Sequence, residues 1–419
     1  MKQLLFLSAI LLAAQLSQGA IWEEQNQWNQ AMEDKYSEWV RTQYNEDFFT
    51  TGKWAGIWTD CADAVYTARI IFSYENKLPF IIKDPTGGGS RISNRMSRFD
   101  NAQSQKSRVI KFIEFVNEVT STQSLPYDTY PLAINRDNIR PGAIWLRASI
   151  ASENFIVRLL TGGSNAPSGH TELIKEVRET GTVSLIGSTV PAKVRKLLIS
   201  SSFVSYPKST KTGLRSWIPA QNFGQDESVN KGYSLEQFKM GVMQSYNNGE
   251  NNFNNTSSGQ QTTDQWEKDV KERLALRGES RDEMKDRYIQ DLCSMAKARI
   301  EVVTDAQKLK AKKKACMDSE EYDALSTPSR DKRIKQTIEN FLDMESSLSL
   351  FRKNNKIIDR NGERFDSCGQ LELGFGNVLS LRQFAKNIMA GRVSSNPNDT
   401  LEARWGMGPS DTNGCPAYE

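Results

Sequence analysis

Between Ser245 and Gln265 the chain reads "SYNNGENNFNNTSSGQQTTDQ", with almost no apolar side chain. A segment of that composition cannot bury enough surface to offset the entropy of ordering it, so it separates what lies on either side. The whole sequence of 419 residues also exceeds the roughly 300 that one core usually serves. The expected organisation is a leader at 1–20, a first domain at 21–244, a polar linker at 245–265 and a second domain at 266–419.

The leader, "MKQLLFLSAILLAAQLSQGA", has Lys2, an apolar run from Leu4 to Ala14, and small residues at Ser17, Gly19 and Ala20, the pattern of a cleaved secretory signal. Its apolar run is shorter than the roughly 20 residues of a spanning helix, and no cysteine follows it to carry a lipid. The expected protein is exported to the periplasm or the medium, without a transmembrane segment. With 25% charged and 38% hydrophobic residues and a net charge of +3, nothing in the balance asks for nucleic acid.

Outside the cytoplasm thiols tend to pair. Cys293, Cys316, Cys368 and Cys415 lie in the second domain, and pairing between sequence neighbours predicts Cys293–Cys316 across a helical hairpin and Cys368–Cys415 across the tail. Cys61 is then the unpaired one. Around the disulfides the pattern is mainly α-helical. Ser280 and Glu283 make a capping box ahead of Met284, Tyr288, Leu292 and Met295, and another helix opens after Pro328 with Ile334, Ile338, Phe341 and Leu342 inward. The basic run "KLKAKKKA" reads as a solvated helix face.

In the first domain Trp28, Met32, Tyr36 and Trp39 recur at helical spacing, predicting an amphipathic helix packed on the domain. Farther on, the runs "GAIWLRA", "NFIVRLL", "HTELIKEV" and "TVSLI" are punctuated by Gly, Ser, Asn and Pro, and the last two are joined by the turn "RETG". That pattern predicts an α+β domain with a small antiparallel sheet.

In "TDCADAVYTARIIF", Cys61, Val65, Ala68 and Phe72 share one face of a helix, with Asp60 as N-cap and Asp63 at the third helical position. Cys61 therefore falls in the first turn, where free N–H groups and the helix dipole favour a thiolate. The only histidine, His170, begins the strand "HTELIKEV", so any imidazole acting on the thiol is this one. The plain alternatives are an inert core cysteine and a surface histidine without a role. One histidine and one free cysteine do not make a transition-metal set, so neither a metal nor a cofactor is expected.

Taken together, "DCADAV" opening a helix that ends in "LPF", "RPGAIWL" at Arg140–Leu146 and "GHTELI" at Gly169–Ile174 resemble the papain-like NlpC-type cell-wall endopeptidases and their CHAP amidase relatives, over about Trp54 to Val190. The resemblance implies a papain-like fold with a central Cys-bearing helix, Cys61 as nucleophile and His170 as general base. It also implies amide hydrolysis, with peptidoglycan stem peptides or another peptide as substrate. Ala143 stands where these families usually have Asp after Pro-Gly, and the 109 residues from Cys61 to His170 exceed the gap in compact members. The extra length falls in "DPTGGGSRISNRMSRFD", read as a loop, and "QKSRVIKFIEFVNEV", read as an inserted helix.

The group that orients the imidazole stays open at this level. Ser184 and Ser188 lie on the strand after the histidine, Asn222 is the candidate by analogy with papain, and Glu172, on the same side of the strand as His170, is placed to shape the site. The Cys61 N–H and a neighbour are the expected oxyanion donors. Trp54 and Trp58, just upstream, offer aromatic faces either to a substrate groove or to the core. Transglutaminase-like cysteine enzymes share the Cys-then-His order, but the aspartate of their "DPT" has no counterpart in "GSTVP". The alternative of another class is a non-catalytic envelope protein that keeps the fold as a binding module.

Overall fold

Thirteen consecutive residues, Cys61 to Ser73, are buried, and the first half of the protein is built around the helix they form. The computed structural model describes residues 19–87, 91–102, 104–147, 169–201, 203, 206–207, 209–239, 259–313, 315–346, 354–410 and 413–418. The body of the leader, the run "NFIVRLL", residues 161–168 and residues 245–258 lie outside them. The chain is mixed α+β and forms two units, the first ending at Arg277 and the second beginning at Gly278. No helix among the described residues is long and apolar enough to cross a membrane.

In the first unit α1 (Gln30–Thr42), α2 (Cys61–Glu75) and α3 (Gln105–Val119) share one core. The predicted stripe on α1 is partly realised: Trp28, Tyr36 and Trp39 are buried in it, while Met32 packs at its margin. A short antiparallel pair, β1 (Ile81–Lys83) with β2 (Arg91–Ser93), and a one-turn helix, α4 (Leu125–Asp128), connect these helices to the main sheet. That sheet has β3 (Thr129–Pro131), β4 (Ile144–Arg147), β5 (His170–Val177), β6 (Val183–Gly187), β7 (Leu198–Ser200) and β8 (Gly213–Trp217) in the order β3-β8-β4-β5-β6-β7. All its pairings are antiparallel.

The central strands carry consecutive apolar residues because both faces of the sheet are covered. On β4, Ile144 and Leu146 join the α2 core while Trp145 points to the other side, and on β5 Leu173 and Ile174 divide in the same way. The opposite face is covered by α5 (Gly259–Leu274), whose Trp266, Val270 and Leu274 recur every fourth residue. Trp266 packs against Trp145 at 5.1 Å and Phe203 at 5.0 Å between ring centres. The polar stretch ending at Gln265 therefore runs into a helix of the first unit, and the division between units falls at Gly278 instead of 266.

The second unit is led by α6 (Arg281–Lys313), followed by α7 (Ser319–Leu325), α8 (Pro328–Ser346), α9 (Asn354–Arg360) and α10 (Gly362–Asp366). A hairpin of β9 (Gln370–Gly374) and β10 (Asn377–Ser380), then α11 (Leu381–Met389) and α12 (Leu401–Arg404), complete it. The expected capping box at Ser280 and Glu283 is present, with both reciprocal hydrogen bonds. Ile334, Ile338, Phe341 and Leu342 are buried, as their spacing predicts.

The disulfides join Cys293 to Cys368 and Cys316 to Cys415, which corrects the neighbour pairing expected from sequence. The reason is the length of α6. It runs unbroken from before Cys293 to Lys313, about 30 Å at the helical rise, whereas a bridge needs Cα atoms within roughly 7 Å. Cys293 therefore has to find a partner across the unit, and Cys368 lies 5.7 Å away, Cα to Cα.

Two outcomes follow. Non-reducing peptide mapping should recover Cys293–Cys368 and Cys316–Cys415 and no peptide joining Cys293 to Cys316. Trp266→Ala should destabilise the first unit by about 3–5 kcal/mol in chemical denaturation, whereas a helix belonging to a separate domain would leave that unit's transition unchanged.

Candidate functional site

Cys61 opens α2 because the two residues framing its first turn form a closed hydrogen-bonded cap. The Asp60 carboxylate accepts from the N–H groups of Ala62 at 2.9 Å and Asp63 at 3.0 Å, and the Asp63 carboxylate accepts from the Asp60 N–H at 2.8 Å. This cap consumes the helix-terminal donors that the sequence reading assigned to a thiolate. The Cys61 N–H remains without an acceptor among the described residues. Burial, and then the neighbouring Asp60 charge, push Asp63 up to about 7. Two carboxyl groups thus sit beside a helix terminus whose dipole is only partly free to act on sulfur.

The thiol is 4% exposed, and its Sγ lies 3.9 Å from the Gly169 carbonyl oxygen. His170 follows directly, at the start of β5, where it pairs across with Arg147 of β4. Its imidazole is 23% exposed, and Nε2 lies 3.4 Å from Glu172 Oε2, an ion-pair distance that is long for a hydrogen bond. Burial works against a charged ring, but the Glu172 carboxylate and the hydrogen bond with Cys61 outweigh it and push His170 up to about 9.

Glu172 is itself buried, between Trp145 of β4 and the end of β6, and the Ser200 hydroxyl donates to its Oε1 at 3.4 Å. Room for it comes from Gly187, where a Cβ would stand 2.9 Å from the Glu172 Cγ. The strand's alternation puts Glu172 on the histidine's side. The glycine that admits it lies on another strand, and only its position within a strand hints at such a close approach.

The other sequence candidates are placed as follows. Ser188, fully buried, donates its hydroxyl to the Thr59 carbonyl at 2.9 Å instead of to His170, and so holds the segment leading to Cys61. Thr59 also makes an antiparallel bridge with Lys193. Ser184 sits farther along β6, paired with Glu176. Asn222, in a single turn at Ala220–Asn222, gives its amide to Asn230 at 3.0 Å. Trp54 is a core residue bonded to Glu75. Trp58 is 65% exposed, and its carbonyl accepts from Asn117. Val190 and Val194, flanking the Thr59–Lys193 bridge, are exposed as well. Among the described residues no three His, Cys, Asp or Glu side chains converge to hold a metal ion.

No protein-family model, curated protein or solved structure matches this chain.

The raised Asp63 carboxyl has a signed consequence. A folded-state value near 7 against an ordinary 3.8 means the folded protein holds a proton the unfolded chain has lost, so this group's contribution to stability declines as pH rises from about 4 to 7. Asp63→Asn keeps an acceptor for the Asp60 N–H and removes the charge. Its unfolding free energy should be flatter across that window and higher than wild type at pH 8, by on the order of a few kcal/mol at most. Equal pH profiles for the two proteins in denaturant titrations would show that the carboxyl titrates normally.

Proposed function

We propose that the first unit is a cysteine hydrolase of the papain-like type, exported through the leader, and that it cleaves amide bonds in peptidoglycan stem peptides. The observation that carries the reading is the meeting of the chain's only free thiol and only histidine, with a buried carboxylate behind the ring. Resemblance to the NlpC-type and CHAP families supplies the substrate class. This chain departs from their pattern in drawing the group behind the imidazole from the same strand, at Glu172.

In this reading Cys61 transfers its proton to His170 and attacks the substrate carbonyl carbon. The Cys61 N–H stabilises the oxyanion that develops. The imidazolium then protonates the departing amine as the C–N bond breaks, leaving a thioester. Neutral His170 takes a proton from water, hydroxide adds to the thioester, and the acid leaves as sulfur recovers its proton. Glu172 holds the ring and stabilises its charged form. Since the cap takes two of the helix-terminal donors, imidazolium is the main electrostatic support for a thiolate. Trp58 offers an exposed aromatic face three residues before the nucleophile. The competing reading, a non-catalytic binding module, draws on the near-complete burial of Cys61.

Iodoacetamide rates against pH separate the two. Native Cys61 should alkylate at neutral pH, and His170→Ala should slow it roughly 10- to 100-fold there. Glu172→Gln should move the loss of the imidazolium down from about 9 toward 6.5. A thiol silent until denaturation, and indifferent to His170→Ala, would rule out the hydrolase. Purified peptidoglycan should release new amino groups with the wild type and none with Cys61→Ala.

The ion pair also predicts a stability profile. Because His170 is raised, its contribution is complete below about 6.5 and is lost as pH climbs through about 9. Wild type should lose up to about 3 kcal/mol across that interval in urea titrations, and His170→Ala should lose none of it.

A further inference from the structure

We propose that the second unit binds a small monovalent anion, of the chloride class, at the guanidinium groups of Arg299 and Arg404 beside Trp405. Arg299 projects from α6 and Arg404 from the end of α12, and both side chains are fully buried. They meet at one hydroxyl: Arg299 Nη2 donates to Thr327 Oγ1 at 3.3 Å and Arg404 Nη2 to the same oxygen at 3.2 Å. The Arg299 guanidinium also lies over the Trp405 ring, 4.7 Å from its centre.

The acids nearby are already engaged. Asp331 accepts from Arg299 Nε at 2.6 Å and Nη2 at 3.2 Å, from Thr327 at 2.7 Å and from Ser395 at 2.7 Å. Asp399 accepts from Ser394 and Asn413. Among the described residues Arg404 reaches only neutral acceptors, Thr327 and the Leu325 carbonyl at 3.3 Å, both through Nη2. Its Nε and Nη1, Nη1 of Arg299 and Nε1 of Trp405 are buried N–H groups without an acceptor among the described residues. Every such unpartnered buried side-chain atom described in this unit is a donor.

The first unit shows how this chain can satisfy a buried arginine without an acid. Arg215 places its Nε and both terminal nitrogens on Thr129, Thr210 and Pro126 oxygens. Nothing comparable serves Arg404, and a guanidinium cannot shed its proton to escape. Burial, and then the like charge of Arg299, push Arg404 down to about 9.

A cluster with surplus donors calls for a partner that accepts from several N–H groups and donates none. Water must place two protons of its own, and the nearby carboxylates are taken. A site closed to solvent on this scale favours an ion that sheds its water at lower cost than sulfate or phosphate does.

The test uses the intact chain and hydrogen exchange read by mass spectrometry, at constant ionic strength in sodium gluconate, sodium chloride, sodium bromide or sodium sulfate. Chloride at about 100 mM should slow exchange in peptides covering Thr327–Asp331 and Ser394–Trp405 by about tenfold and saturably, with bromide equivalent. Peptides of the first unit should not respond. Identical exchange in gluconate and chloride would overturn the proposal, as would protection by sulfate alone. Arg404→Met should abolish the difference between salts, and an undiminished chloride effect in that variant would count equally against it. Should Arg404→Met fail to fold, the wild-type comparison decides by itself.

Discussion

The first unit depends on a helix with no solvent-facing side. From Cys61 to Ser73 every side chain of α2 is buried, including Asp63, Thr67, Arg69 and Ser73, so each polar group must find a partner inside the protein. Each finds a different one. Arg69 forms a two-pronged pair with Glu33 of α1 and lies 3.3 Å from the centre of the Trp28 ring. Thr67 reaches Asn117 of α3, and Tyr66 donates to Asp128 at the end of α4. The helix is therefore fixed in rotation and in height by contacts to several neighbours at once, and apolar packing alone would not specify that so closely.

Fixing α2 fixes Cys61 at its end. The sheet does the same for His170, because β5 is a central strand held on both sides and packed on both faces. Thiol and imidazole thus belong to two rigid elements that meet at their ends. The segment between them that leads into α2 is fastened by Ser188 and by the Thr59–Lys193 bridge. A buried carboxylate next to the histidine fits the same plan: Glu172 occupies space that the absent side chain of Gly187 leaves open.

What could be read from the sequence was local. The start of α2 was legible because Asp60 and Asp63 cap it within one turn, and β5 and β6 were legible because a turn joins adjacent apolar runs. The helix at "QKSRVIKFIEFVNEV" follows from its own periodicity. Partners on distant segments were not legible. Trp266, Val270 and Leu274 follow directly on the polar stretch, and nothing nearby in sequence shows that they cover the far face of the sheet. By type, serine and asparagine suit the place behind the imidazole, yet Ser188 and Asn222 answer to Thr59 and Asn230, contacts set by loop packing. The disulfides escaped because pairing depends on the unbroken length of α6, which runs on through its lysine-rich last turns to Lys313.

The two bridges of the second unit interlace: Cys316 lies inside the loop closed by Cys293 and Cys368, while its partner Cys415 lies beyond it. Sequential bridges, Cys293 to Cys316 and Cys368 to Cys415, would leave a stretch between them where one backbone cut separates the chain. With this crossing, a single peptide bond broken anywhere between Cys293 and Cys415 leaves both pieces covalently joined through at least one disulfide. One nick between those cysteines therefore costs the unit none of its mass.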